Sequence, residues 1–256
     1  MNQLLNYKIL GEGQPLIILH GLFGSLDNWM TLGKRFAQGF KVVLVDQRNH
    51  GKSFHDYSFS YSVMADDLKN LIEHLKLEQP ILIGHSMGGK TVMQYLAFNP
   101  TEVKKLIVAD IGPKSYPVHH ESIINGLKKV SLSNIQLREE VDIQLGKYIP
   151  DLGTRTFLMK NLSRTSDGRF EWKMNLDVIS DNIEEVGKSL DYYLPLETPC
   201  LFIRGSDSSY ILDEDLDGIM DIFPEARLET INGSGHWLHA DNPQKFFELV
   251  TDFISV

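Results

Sequence analysis

Ser86 stands in Gly84-His85-Ser86-Met87-Gly88, between the apolar run Ile81-Leu82-Ile83 and a helical pattern that reaches Asn99. The pentapeptide fits G-x-S-x-G on a strand, turn and helix, which exposes a serine hydroxyl at a strand tip. A serine held there is strained and crowds the residues two before and two after it, and glycine at both places relieves the crowding. The helix opening at Met87 aims its N-terminus at the site, where the Met87 amide can hold a developing oxyanion. The chemistry would be acyl transfer through a serine ester.

The same letters fit a second chemistry. Gly84 to Thr91 reads GHSMGGKT, a match to the phosphate-binding pattern G-x-x-x-x-G-K-[ST], and Leu106 to Asp110 (LIVAD) could pass for a metal-binding strand. This window alone leaves a serine hydrolase and a nucleotidase both open.

A serine nucleophile needs a base within hydrogen-bond reach, and the base needs an orienting partner. His236 is the best base, in the glycine-rich stretch Asn232-Gly233-Ser234-Gly235-His236-Trp237 after the last strand pattern. A second loop, His20-Gly21-Leu22-Phe23-Gly24-Ser25, follows the buried-strand run Leu16–Leu19. It can offer backbone N–H groups, with Leu22 as the second oxyanion donor. His50 lies in the loop from Asp46 to Ser53, read as structural, with Asp46 and Arg48 making local hydrogen bonds. His239 is expected to tie its loop to the next helix, and His119 and His120 to be exposed.

Elements that must position these groups follow from hydrophobic periodicity. Strands are predicted over Leu4–Leu10 at an edge, then Leu16–Leu19, Lys41–Val45, Ile81–Ile83, Val103–Ala109, Cys200–Arg204 and Ala226–Ile231. Helices are predicted over Asp27–Phe36, Val63–Leu75 with Ser62 as N-cap, Met87–Asn99, Asp213–Ile222 and Pro243–Ile254. Between 114 and 197 the strand patterns disappear and short helices are expected near 119–130, 136–148, 151–162 and 181–190. The fold class is therefore α/β, a mostly parallel sheet with crossover helices and an α-helical cap. The core would be 1–112 and 199–256, and the cap insertion 113–198.

The chain has 256 residues, enough for one such domain, with 42% hydrophobic and 23% charged residues. A net charge of −9 argues against nucleic-acid or anionic-membrane partners. The single cysteine, Cys200, excludes an intrachain disulfide and suits a reducing compartment. No leader pattern and no apolar run of ~18 residues is present, so a soluble, cytoplasmic protein with no membrane span, monomeric or weakly dimeric, is expected. No metal-ligand spacing or dinucleotide fingerprint is found, so no metal or cofactor is expected.

Taken together, four ordered motifs resemble the α/β-hydrolase superfamily over essentially the whole chain. They are His20-Gly21-Leu22-Phe23-Gly24, Asp46 to Ser53, Gly84 to Gly89, and Gly235-His236-Trp237. The Asn28-Trp29 pair, the Arg48-Asn49-His50-Gly51 loop and the stretch 167–175 look closest to bacterial esterases of the YbfF type, thought to hydrolyse acyl esters and acyl-CoA thioesters. The resemblance implies the order nucleophile, acid, histidine. The usual acid position, three residues after Gly205, holds Ser208, and Asp207 is one residue early. Asp110, at the end of the preceding core strand, is the alternative the resemblance favours, with Ser208 assisting by a hydrogen bond near His236 and Asp207 as the second choice.

The expected substrate is a small-to-medium acyl ester or acyl-CoA thioester, with Phe23, Tyr116, Tyr210 and Trp237 against it. Arg155, Arg164, Arg169 and Lys173 in the cap could meet a phosphate-bearing leaving group. Other classes stay open: a lyase like the menaquinone-pathway cyclohexadiene-carboxylate synthases, a C–C bond hydrolase, or a silent binding module.

Overall fold

The computed structural model describes residues 3–190 and 195–255. Among these, seven strands form one sheet: β1 (Tyr7–Leu10), β2 (Gln14–Leu19), β3 (Phe40–Val45), β4 (Ile81–His85), β5 (Lys105–Ala109), β8 (Cys200–Gly205) and β9 (Ala226–Ile231). Their order across the sheet is β1-β3-β2-β4-β5-β8-β9. Only β1 runs antiparallel to its neighbour; every other pair is parallel.

The period-2 alternation of these strands divides the core into two layers. Leu16 and Ile18 on β2 face one side, with Leu32 and Phe36 of α1 (Met30–Phe36) and Phe246 and Val250 of α11 (Pro243–Ser255). Ile17 and Leu19 face the other, with Leu68 and Leu71 of α2 (Tyr61–His74), Val92 and Leu96 of α3 (Met87–Phe98) and Ile219 of α9 (Leu216–Ile222). The central strands are apolar on both faces because both are covered. All the parallel strands deliver their carboxyl ends to one edge, where open α/β sheets place their ligand crevice.

The segment between β5 and β8 lies over that edge. It contains α4 (Glu121–Lys129), α5 (Arg138–Leu145), α6 (Leu152–Leu158), α7 (Leu176–Asp181) and α8 (Ile183–Gly187). It also contains an antiparallel hairpin, β6 (Leu162–Arg164) with β7 (Phe170–Trp172), where only helices were expected. Three-residue strands are too short to show periodicity. The local signal was Asp167-Gly168, a turn dipeptide whose glycine sits at φ 86°. The helix expected over 181–190 is replaced by α7 and α8, which together end at Gly187.

A second correction concerns α2. Ser60, not Ser62, caps it, accepting from the Val63 amide at 3.5 Å. Both serines are cap-competent; starting at Tyr61 buries that ring and lets its hydroxyl donate to the Val186 carbonyl at 2.7 Å. The helix expected over Asp27–Phe36 opens as a 3-10 turn, Leu26–Trp29, before α1. The last helix turn, α10 (Leu238–Asp241), joins the loop after β9 to α11. Among the described residues no helix is long and apolar enough to cross a membrane.

Candidate active site

Ser86 follows β4 directly at φ 51° and ψ −118°, and its amide donates to the Ala109 carbonyl at 3.0 Å. The two glycines around it are sterically required. A Cβ on Gly84 would lie 2.3 Å from the Gly88 carbonyl oxygen. A Cβ on Gly88 would lie 2.6 Å from the carbonyl oxygens of both Leu19 and His20. The turn therefore packs backbone on backbone. Met87 opens α3, so its amide has no intrahelical acceptor.

The phosphate-binding reading does not survive this geometry. Helix α3 begins directly after Ser86, leaving no loop between Gly84 and Lys90 to cradle a phosphate. Lys90 is fully buried; its Nζ donates to the carbonyls of Lys114, at 2.9 Å, and Lys188. Burial pushes this amine down to about 7. The Thr91 hydroxyl donates to Gln47 Oε1 at 2.8 Å, away from any open site.

Asp110 is one residue beyond β5, wholly buried and at φ 52°. Its carboxylate accepts from His236 Nδ1 at 2.7 Å, from the Gly205 amide at 3.2 Å and from the Ser208 hydroxyl. Asp207 is exposed and engages Ser206 at 2.9 Å, not His236. The Gly205 turn has no room for another residue type, since a Cβ there would meet the Ser234 carbonyl oxygen at 2.2 Å. The His236 ring stacks on Tyr210, with centroids 4.0 Å apart and planes 21° apart.

The loop after β2 is held by two histidines. His20 Nε2 accepts from the Gln47 amide at 3.0 Å, and Nδ1 donates to the Gly21 carbonyl at 2.8 Å. His50 Nδ1 donates to the Arg48 carbonyl at 2.9 Å, and Nε2 accepts from the Phe23 amide at 3.2 Å. With the Phe23 and Gly24 amides engaged, the Leu22 amide takes no partner among the described residues. Burial holds His20 down to about 4 and His50, helped by His20, to about 3. Asp46 accepts from Asn6 Nδ2 at 2.7 Å and from the amides of Leu26 and Lys52 at 2.7 and 2.9 Å. Arg48 grips Asp67 at 2.6 and 2.9 Å. His239 stacks flat on Trp29, 4.2 Å away.

A cavity of about 240 Å³ opens on Ser86 and His236. Leu22, Phe23, Tyr210 and Trp237 line it, as do His119 and His120, which were expected to be plain surface residues. His119 is exposed but His120 is half-buried. Tyr116 lines instead a second cleft of about 20 Å³ against Ser86 and Met87, its hydroxyl locked between the Gly112 amide and the Tyr210 carbonyl, 2.7 Å each. Sequence reading missed Ile123, Phe157 and Leu158 of the inserted segment, whose hydrophobicity there looks like ordinary core. It also missed buried His85, whose Nε2 donates to the His236 carbonyl at 2.8 Å and anchors that loop.

Arg155, Arg164, Arg169 and Lys173 do not line this cavity. Arg155 pairs with Asp142 at 2.7 Å, Arg169 with Asp167 at 2.7 Å and Lys173 approaches Asp27 at 3.6 Å, while Arg164 lies over the Phe170 ring at 4.3 Å. Among the described residues no cluster of three or more His, Cys, Asp or Glu is placed to hold a metal ion.

A family model for the alpha/beta hydrolase fold matches residues 14–243. A solved marine microorganism esterase is 44% identical, with a TM-score of 0.96, covering 98% of this chain and 100% of that one. The mouse (Mus musculus) sn-1-specific diacylglycerol lipase ABHD11 is 36% identical over 98% of this chain and 85% of its own. Esterase YbfF of Escherichia coli is 33% identical over 95% of this chain and 94% of its own. With the sheet, the turn at Ser86 and matches of this extent, the protein belongs to the α/β-hydrolase family, among its carboxylic-ester hydrolases.

Proposed function

We propose that the protein hydrolyses small-to-medium acyl esters through an acyl-enzyme on Ser86, with acyl-CoA thioesters as a second substrate class. The observation that carries this reading is the His236–Asp110 contact of 2.7 Å beside a cavity that also contains Ser86. His236 takes the Ser86 proton as the hydroxyl attacks the carbonyl carbon. The amides of Leu22 and Met87 hold the oxyanion. The imidazolium then returns its proton to the leaving alcohol or thiol, and water releases the acyl group by the reverse steps. Asp110 keeps the proton on His236 Nδ1, so that Nε2 is free to act as base. Ser208 steadies the same carboxylate.

Residues 113–198 act as a cap over a core of 1–112 and 199–256. A cavity of about 240 Å³ holds roughly eight water-sized groups, which suits a medium acyl chain. Hydrolysis of p-nitrophenyl esters and acyl-CoAs of graded chain length, with Ser86→Ala alongside, tests the reading. The expected result is a medium-chain optimum and loss of at least about a thousandfold in the alanine variant. Turnover that survives Ser86→Ala would sink the acyl-enzyme.

A further inference from the structure

Two spaces meet at Ser86, the cavity toward Phe157 and Trp237 and the smaller cleft toward Tyr61 and Val186. His120 lines both, at the boundary between them. Several polar side chains near Ser86 are already engaged: Tyr61 with Val186, Tyr116 with Gly112 and Tyr210, His85 with the His236 carbonyl, His236 with Asp110. His120 is different. Its ring stands edge-on to Phe23 at 6.0 Å, and its Nδ1 is buried with no hydrogen-bond partner among the described residues.

That orphan nitrogen decides where the proton sits. Burial, with His236 and His119 nearby, holds the imidazole down to about 4, so at pH 7 it is neutral and carries one N–H and one lone pair. A buried N–H without an acceptor is the costlier orphan, so the lone pair falls to Nδ1 and the hydrogen to Nε2. Nε2 then carries the hydrogen of a ring that lines both spaces.

We propose that His120 is a specificity-determining residue whose Nε2–H donates to a neutral oxygen acceptor of the substrate, an ether, hydroxyl or carbonyl oxygen close to the scissile ester. The inference rests on the ester-hydrolase reading of Ser86. A substrate with a methylene in that place leaves the N–H desolvated and unpaired, which is how a site built for a polar group rejects its apolar analogue. A carboxylate has no such advantage, because the ring is uncharged and no Lys or Arg lines either space.

Two isosteric pairs test it: p-nitrophenyl methoxyacetate against p-nitrophenyl butyrate for an oxygen in the acyl part, and 2-methoxyethyl against n-butyl acetate for one in the alcohol. Intrinsic reactivity cancels when wild type and variant are compared on the same pair. His120→Phe keeps a ring and removes the donor, and the ether-over-alkyl ratio of kcat/KM should fall about tenfold for one pair. His120→Gln restores an N–H and should keep the ratio within about twofold. A ratio unchanged in His120→Phe for both pairs, or lost equally in both variants, overturns the role of His120 alone. Wild-type protein that hydrolyses none of the four esters overturns both this role and the reading of Ser86.

Discussion

Ser86 and Asp110 sit one residue beyond the paired positions His85 and Ala109 on neighbouring parallel strands, and both adopt positive φ, 51° and 52°. Each amide still extends the sheet ladder, Ser86 to the Ala109 carbonyl at 3.0 Å and Asp110 to the Ile203 carbonyl at 2.8 Å. The chain reverses hand only after those bonds are made, which throws each side chain across the strand ends. Non-glycine residues rarely occupy this region, and aspartate tolerates it better than most. The acid that reaches His236 therefore leaves β5, while the turn after β8 contributes only a serine.

Asp110→Asn should lower kcat by about 10²–10⁴ with the fold intact, because the amide can hold His236 in the wrong tautomer. Asp207→Asn should stay within about twofold, since its side chain is exposed and bonded to Ser206. Ser208→Ala removes one of three donors to the Asp110 carboxylate and should cost between about threefold and tenfold. Steady-state kinetics on one ester separates the three; a large loss in Asp207→Asn with little in Asp110→Asn would reverse the assignment.

Gly88→Ala should prevent formation of the turn, because the added carbon meets two fixed backbone oxygens at 2.6 Å. Loss of soluble protein or a large fall in Tm is expected. Gly39→Ala is the control: its added methyl would have nothing within 4 Å, and stability should change by no more than about 1 kcal/mol.

Acid should destabilise this protein earlier than its carboxylates alone would. His20, His50 and His239 are buried and held down to about 4, 3 and 3, whereas in the unfolded chain each titrates near 6.5. As pH falls through 6.5 the unfolded chain binds these protons and the folded one does not. Stability is complete above 6.5 and is lost toward 3–4, by about 1.4 kcal/mol per pH unit for each histidine. Urea midpoints between pH 7.5 and 5 measure the slope. His239→Phe, which keeps a ring against Trp29, should make it shallower; an unchanged slope would remove His239 from the account.

Lys90 fastens the two strands of chain by which the inserted segment leaves and rejoins the core. Beside its two carbonyl contacts, the Tyr116 amide bonds the Gly187 carbonyl at 2.7 Å and the Leu190 amide the Pro113 carbonyl at 3.1 Å. Lys90→Met retains the bulk and leaves both carbonyls without that donor. Hydrogen exchange at the Tyr116 and Leu190 amides should quicken by about tenfold or more. Exchange at the wild-type rate would show that the neck is held without Lys90.

Sequence alone determined what local chemistry dictates. The turn at Ser86 needs glycine on both sides, buried parallel strands need unbroken apolar runs, and both are legible because their causes lie within a few residues. The choice between a phosphate loop and a helix at Gly88-Gly89-Lys90 was not local. The loops at His20-Gly21 and His236, which a phosphate-binding reading does not require, already spoke against it, and Lys90, donating to carbonyls at Lys114 and Lys188, residues distant in the chain, has no phosphate to meet. The same holds for the walls of the cavity. His120, Ile123, Phe157 and Leu158 carry no motif, and nothing in their spacing distinguishes a lining residue from a packed one. Only the return of the inserted segment over the strand ends made them neighbours of Ser86, and only there did an unpartnered ring nitrogen become visible.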